Sequence, residues 1–120
     1  MLTNKIHNPR FLQQVELAKK LITEISVLEL KTKLASKINF TLIDVREDSE
    51  WPIDALPTAI HVGKGVLERD IEKIIPDINH NIVVYCSGGY RSVLAAAALQ
   101  SMGYCNVESL NGGARAWSAE

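Results

Sequence analysis

The chain has 120 residues, 47% of them hydrophobic, which suits a single globular domain with one core. Its formal net charge of -1 argues against nucleic acid or an anionic membrane as the main partner. No apolar run approaches the ~20 residues of a membrane-spanning helix, and residues 1–10 lack the apolar core of a signal peptide. The two cysteines lack the spacing of a disulfide framework or a zinc site. We therefore expect a cytoplasmic protein without a bound metal.

The N-terminal segment predicts an amphipathic helix. Residues 1–8 are expected to be loose, and Pro9 suits the first helical turn, with Asn8 as its cap. We interpret residues 1–24 as a helical extension that packs on a domain formed by residues 25–120; a helix that binds a partner or a second copy is the alternative. The apolar residues at helical spacing are Phe11, Leu12, Val15, Ala18, Leu21, Ile22 and Ile25.

Strands and helices are predicted to alternate along the rest of the chain. Ser26 and Glu29 have the spacing of a capping box, which predicts a helix to about Ser36. Residues 63–65, with two glycines, predict a hinge-like turn. This alternation is typical of an α/β protein, and we expect one domain with a mainly parallel sheet flanked by helices on both faces. The other predicted elements are strands at Ile25, 40–45, 59–62, 82–85 and 107–110, and helices at 66–75, 91–102 and 114–119.

Cys86 stands where the strand at 82–85 ends and a short loop leads to a helix. Unpaired backbone N–H groups and the helix dipole make such a position suitable for an anion, and they favour the thiolate form of a cysteine. Gly88 and Gly89 allow loop amides to turn inward, and Arg91 adds a positive charge. The pattern predicts a nucleophilic cysteine that attacks an anionic substrate. An inert buried thiol after a core strand is the alternative.

Five stretches together resemble the rhodanese family of single-domain sulfurtransferases. The cysteine loop has the form Cys-x-x-Gly-x-Arg from Cys86 to Arg91. The other stretches fall in the family's order, and the resemblance spans about residues 25–117. They are Leu42-Ile43-Asp44-Val45-Arg46-Glu47, Leu56-Pro57-Thr58-Ala59-Ile60-His61, Met102-Gly103-Tyr104 with Asn106-Val107, and Asn111-Gly112-Gly113 with Trp117.

This resemblance implies a sulfurtransferase in which Cys86 accepts a sulfane sulfur as a persulfide. The donor would be a small anion such as thiosulfate, or a persulfide, and the acceptor would be cyanide or a thiol, which could belong to a protein. No metal or organic cofactor is implied. Asp44 and Arg46 would support the loop through charge pairing, although a helix cap or a surface ion pair between them is an alternative interpretation of Asp44. The residues implied to cradle the sulfur are Ser87, Gly88, Gly89, Tyr90 and Arg91.

Two other functions compete with this interpretation. Cysteine phosphatases use a Cys-x5-Arg loop, whereas the spacing from Cys86 to Arg91 is Cys-x4-Arg, which suits a single sulfur atom better than a phosphoryl group. A non-catalytic module could bind a partner protein through the same crevice. Residues 54–58 depart from the family's Gly-His-Ile-Pro-Gly-Ala pattern, so we expect a stiffer or reshaped loop there.

A few further residues are assigned no part in the reaction. Cys105 is interpreted as a partly buried small residue, and a resolving thiol for Cys86 is the alternative. Trp51 is expected to cover the core rather than to line the site. The three histidines are assigned no catalytic role, and His7 and His80 are expected at the surface.

Overall fold

The alternating pattern folds into a five-stranded parallel sheet with the strand order β1-β5-β4-β2-β3. A computed structural model describes residues 7–120; residues 1–6, most of the segment predicted to be loose, lie outside the described residues. The strands are β1 Thr23–Ile25, β2 Phe40–Asp44, β3 Ile60–His61, β4 Asn81–Tyr85 and β5 Val107–Leu110. The helices are α1 Pro9–Lys19, α2 Val27–Ala35, α3 Lys64–Ile74, α4 Tyr90–Ser101 and α5 Gly113–Ala119.

Helices cover both faces of this sheet, which confirms the predicted fold class. Successive residues of a strand point to opposite faces, so Ile43 packs under α3 and α4 while Leu42 packs under α2 and α5. Helix α1 lies on the outer side of α4, where Val15 and Ala18 pack against Val93. The predicted boundary between an extension and a domain at residues 24 and 25 stays a prediction. Within residues 7–120, no helix is long and apolar enough to cross a membrane.

Two predicted details of the helices are wrong. Helix α1 ends at Lys19, so the apolar spacing does not continue as a helix: Leu21 is 70% exposed, and Ile22 packs beside Val15 and Ala18 from beyond the helix end. Ile25 pairs with Leu110 in β1, which confirms the strand predicted there. Sheet pairing thus overrides the helical spacing at this point. The predicted turn at residues 63–65 is only the start of α3, because Gly63 is its N-cap and Gly65 lies in its first turn.

The capping box that starts α2 is confirmed. The Ser26 hydroxyl accepts a hydrogen bond from the Glu29 backbone N–H at 3.1 Å, and the Glu29 carboxylate accepts one from the Ser26 N–H at 3.1 Å. At α1 the position of the cap is as predicted, but the Asn8 side chain makes no capping hydrogen bond. Of these two caps, only Ser26 at α2 is therefore expected to stabilise its helix through a side chain.

We expect Ser26→Ala to lower the free energy of unfolding by about 1 kcal/mol, because the Glu29 N–H in the first turn of α2 loses its acceptor, the Ser26 hydroxyl. Urea denaturation followed by circular dichroism measures this change. Ser101→Ala, which alters an exposed serine at the end of α4, is the matched control. Equal midpoints for the two variants would contradict the prediction.

Candidate active site

Cys86 is the first residue after β4, in the middle of the sheet, and α4 begins four residues later at Tyr90. The loop between them needs Gly89, which is the N-cap of α4 with φ of 95°. A side chain there would be strained by this left-handed backbone, and its Cβ would lie 2.9 Å from the Gly112 backbone nitrogen. The strand–loop–helix arrangement that the sequence predicted around the cysteine is thus present.

Backbone N–H groups converge on the sulfur of Cys86. The amides of Gly89 and Ser92 donate hydrogen bonds to Sγ at 3.2 and 3.3 Å. Cys86 is 1% exposed, so little water competes for these donors. Two N–H groups at the start of a helix stabilise negative charge on the sulfur.

A buried pair of hydroxyl groups lies behind the cysteine, and the sequence analysis missed it. Ser109 on β5 donates a hydrogen bond to the Ser92 hydroxyl at 2.8 Å, and the Cys86 thiol lies 3.5 Å from the same oxygen. Both serines are fully buried. A signal was available, because strand alternation puts Ser109 on the same inward face as Val107, where a polar residue needs a specific partner.

Arg91 lines the site, but its charge is already paired. Its guanidinium donates two hydrogen bonds to the Glu50 carboxylate at 2.7 and 3.0 Å. These bonds lower the pKa of Glu50 to about 2 and raise the pKa of Arg91. Arg91 was predicted to add a full positive charge to the site, whereas here that charge is paired. Glu50, its partner, belongs to a polar turn without a distinctive motif and was not predicted.

Asp44 and Arg46 form a buried ion pair, so the alternative of a surface pair is wrong. Arg46 is 4% exposed and Asp44 is fully buried. The Arg46 Nη2 atom lies 2.8 Å from the Asp44 carboxylate and also donates to the Ile53 carbonyl at 3.0 Å. The hydrogen bond with Asp44 raises the pKa of Arg46. Through its bond to Ile53, Arg46 fixes the segment that carries Glu50, and Glu50 in turn binds Arg91. The Asp44–Arg46 pair therefore supports the cysteine loop indirectly, through this segment.

The start of α5 supports the cysteine loop from below. The Ala114 N–H donates to the Cys86 carbonyl at 2.8 Å, and the Arg115 N–H donates to the Ser87 carbonyl at 3.0 Å. Gly113, with φ of 58°, lies so close to the loop that a Cβ there would overlap the Cys86 carbonyl oxygen. The contact brings Arg115, a second cation that the sequence analysis did not assign, to the site.

A cavity of about 400 Å³ opens above Cys86. It brings together four of the five predicted cradle residues, whereas Gly89 contributes its N–H to Sγ instead. His7, expected at the surface, is half-buried and lines this cavity together with Phe11, which the sequence analysis assigned only to helix packing. The lining residues are His7, Phe11, Glu50, Cys86, Ser87, Gly88, Tyr90, Arg91 and Arg115.

The remaining candidates lie outside the cavity. Trp51 stacks on His61 with ring centroids 5.2 Å apart, and the His61 Nε2 lies 2.8 Å from the Arg46 carbonyl oxygen. His80 is half-buried and bonds the Thr41 hydroxyl at 2.9 Å.

Cys105, predicted as partly buried, is exposed. Cys105 lies before the N-terminal end of β5, whereas Cys86 follows the C-terminal end of β4. Because the two strands are parallel, the cysteines lie at opposite ends of the strands. Within residues 7–120, no cluster of three or more potential metal ligands exists.

The fold and the site define a parallel α/β protein with a cysteine held at a helix N-terminus. A sequence model of the Rhodanese-like domain matches residues 26–120. YtwF of Bacillus subtilis is 34% identical over 99 residues, which cover 82% of this chain and 93% of that protein. A sulfurtransferase of Allochromatium vinosum is 31% identical over 98 residues, covering 82% and 90%. The chain therefore belongs to the rhodanese family.

A solved structure resembles more of the chain than these relatives do. It is a protein of unknown function from Rhodopseudomonas palustris, described as a possible tyrosine phosphatase. It is 26% identical, has a TM-score of 0.80 and covers 99% of this chain and 96% of its own. The likeness extends over the whole architecture described here, including α1.

We expect Gly113→Ala to lower the free energy of unfolding by about 2 kcal/mol, because the new Cβ would be strained at positive φ and would collide with the cysteine loop. Gly65→Ala in α3 is the matched control, since no atom lies within 4 Å of its added Cβ and alanine favours a helix. Urea denaturation measures both variants. A Gly113→Ala protein as stable as the control would contradict the close packing of α5 on the loop.

The Glu50–Arg91 pair predicts a pH dependence of stability. The lowered pKa of Glu50 means that its ionised form stabilises the fold above its ordinary pKa of 4.5, and this contribution is lost as the pH falls towards 2. We expect Glu50→Gln to lose less stability than the parent between these pH values. Urea denaturation at several pH values measures this difference, and Glu16→Gln, at an exposed position of α1, is the control. Parallel pH profiles for the parent and Glu50→Gln would refute the pairing.

Proposed function

We propose that the protein is a sulfurtransferase that passes a sulfane sulfur from a thiosulfate or persulfide donor to a cyanide or thiol acceptor through a persulfide on Cys86. The observation that carries this proposal is the pair of N–H groups that bond the Cys86 sulfur at the floor of a cavity. A thiolate in such a position is a nucleophile towards sulfur, and the same amides can stabilise its persulfide. Family membership supports the same reaction class.

The cycle has two steps. The Cys86 thiolate attacks the outer sulfur of thiosulfate, the bond between the two thiosulfate sulfurs breaks, and sulfite leaves with the electron pair. The acceptor nucleophile then attacks the outer sulfur of the Cys86 persulfide, and Sγ leaves as a thiolate again. Each step breaks one bond to the transferred sulfur and forms another, and no external oxidant or reductant takes part. The scheme therefore requires no cofactor.

The charges around the cavity favour a persulfide as the physiological donor. Thiosulfate is a dianion, and the Arg91 charge is largely neutralised by Glu50. Ser87, Gly88 and Tyr90 add no basic side chain to the cavity, and Arg115 is the other arginine of its lining. We therefore expect thiosulfate to be a weak donor. A reducing compartment such as the cytoplasm would keep Cys86 as a thiol, and this location stays a prediction.

Phosphatase activity is the main alternative, because the Rhodopseudomonas palustris structure is described as a possible tyrosine phosphatase. Two features oppose it here. The loop from Cys86 to Arg91 is one residue shorter than a Cys-x5-Arg loop, and Arg91, which would have to hold the phosphoryl oxygens, is engaged by Glu50. A non-catalytic binding module is less well supported, since such a module has no need for amides that converge on a cysteine sulfur.

We expect the protein to gain the mass of one sulfur atom on exposure to a polysulfide, and a smaller fraction to gain it with thiosulfate. Intact mass spectrometry measures the gain, and a reducing agent should reverse it. Cys86→Ala should show no gain. Cys105→Ala is the matched control, because Cys105 is exposed and lies at the opposite end of the parallel strands from Cys86. This variant should gain sulfur as the parent does.

Two outcomes would overturn this proposal. If neither donor adds sulfur to the protein, the proposed sulfurtransferase activity is overturned and a non-catalytic binding module is favoured. Hydrolysis of p-nitrophenyl phosphate that is lost in Cys86→Ala, without any gain of sulfur in the parent, would favour the phosphatase.

A further inference from the structure

The cavity above Cys86 is larger than the small sulfur anions require. Its volume of about 400 Å³ lies in the range of sites that bind organic ligands, roughly 300–1,000 Å³. Thiosulfate or cyanide at the sulfur would fill only a small part of it. The remaining space can hold an organic group attached to the reacting sulfur.

One side of the cavity is formed by three packed rings, those of His7, Phe11 and Tyr90, which we call the aromatic wall. The His7 ring lies 4.5 Å from that of Tyr90 and 5.3 Å from that of Phe11, between centroids. The Phe11 and Tyr90 rings are 6.4 Å apart. Contacts of this kind fix the rings and present apolar surface to the cavity. The apolar part of a ligand would lose contact with water by packing against this wall.

The cavity also has a cation that can meet a negative group of the ligand. Among the residues that the structure describes, Arg115 forms no ion pair, in contrast to Arg91. Its backbone bond to Ser87 holds it beside the cysteine loop. A guanidinium binds a carboxylate through paired hydrogen bonds, which favours it over a neutral group.

Part of this arrangement lies outside the residues that match the family. The Rhodanese-like domain model covers residues 26–120, whereas His7 and Phe11 precede it. Helix α1 is held in place by the packing of Val15 and Ala18 on Val93 of α4. Two of the three rings of the aromatic wall therefore come from the part of the chain that precedes the family match, and Tyr90 of α4 is the third.

We propose that the aromatic wall and Arg115 form a subsite for a small organic thiol that carries an apolar side group and a carboxylate. The inference rests on the proposed function, in which this thiol is the sulfur acceptor. Its thiolate attacks the outer sulfur of the Cys86 persulfide, and a new sulfur–sulfur bond forms. The bond to Sγ breaks, Sγ keeps the electron pair as a thiolate, and the acceptor leaves as an organic persulfide without net oxidation.

The first experiment measures binding without sulfur chemistry, by calorimetric titration of the resting protein with unreactive hydroxy acids. Phenyllactate and lactate differ only in the phenyl group, and we expect phenyllactate to bind at least about tenfold tighter. Phenyllactamide lacks the negative charge and should bind at least about threefold more weakly than phenyllactate. Equal affinities for phenyllactate and lactate would overturn the aromatic subsite, and equal affinities for phenyllactate and its amide would overturn the role of Arg115.

Two variants assign the effects to residues. Phe11→Leu keeps an apolar side chain for packing on α4 but removes a ring, and should reduce the preference for phenyllactate over lactate at least about threefold. Phe40→Leu, at the start of β2, removes the other phenylalanine of the chain and should keep the preference of the parent. Arg115→Gln should abolish the preference for the acid over the amide. The comparison of ligands on the parent stands even if a variant fails to fold.

The second experiment measures sulfur transfer from the persulfide-loaded protein to 2-mercapto-3-phenylpropionate and to 2-mercaptopropionate. These thiols have similar reactive groups, and we expect kcat/KM to favour the phenyl compound by about tenfold. A protein that takes up sulfur but shows no preference would overturn the subsite alone. A protein that binds phenyllactate selectively but never forms a persulfide would overturn the proposed function while the subsite stands.

Discussion

Two backbone N–H groups approach the single sulfur atom of Cys86, and this contact determines how β4, α4 and α5 meet. The Gly89 and Ser92 amides can reach Cys86 only if β4 ends at Tyr85 and α4 begins almost at once. Such a short connection requires the left-handed conformation of Gly89 and brings the loop against the start of α5. The conformation of the loop is therefore set by backbone geometry, and its side chains are left to shape the cavity.

Two sets of contacts keep that geometry in place. On one side, α5 bonds the carbonyl groups of the loop, and Gly113 allows a distance that no other residue could tolerate. On the other side, the buried Arg46 holds the Ile53 carbonyl, and Glu50 in the same segment holds Arg91. Burial of the Asp44–Arg46 pair is costly unless each group is bonded, and here it is. The ion pairs thus serve position as well as charge.

The sequence alone predicted the fold and the cysteine loop because both depend on local patterns. Hydrophobic spacing and the capping box at Ser26 act within a few residues, and so does the glycine loop after β4. The missed features depend on contacts between distant segments. Glu50 is 41 residues from Arg91, and Arg115 reaches the site only through the packing of α5. The end of α1 was misplaced because pairing of β1 with β5 overrode helical spacing. A single sequence holds little information on such contacts.

The segment at residues 54–58 shows how tertiary contacts can replace a local rule. The family pattern has glycines at the positions of Asp54 and Thr58, and both of these residues have left-handed backbones, with φ of 57° and 66°. Such a conformation costs a non-glycine residue about 1–2 kcal/mol. Leu56 lies between them, is 3% exposed, and donates its N–H to the buried Tyr85 hydroxyl at 3.1 Å. Burial of this leucine offsets the strain and holds the segment beside Tyr85, the residue that precedes Cys86, so residues other than glycine adopt the left-handed conformation here.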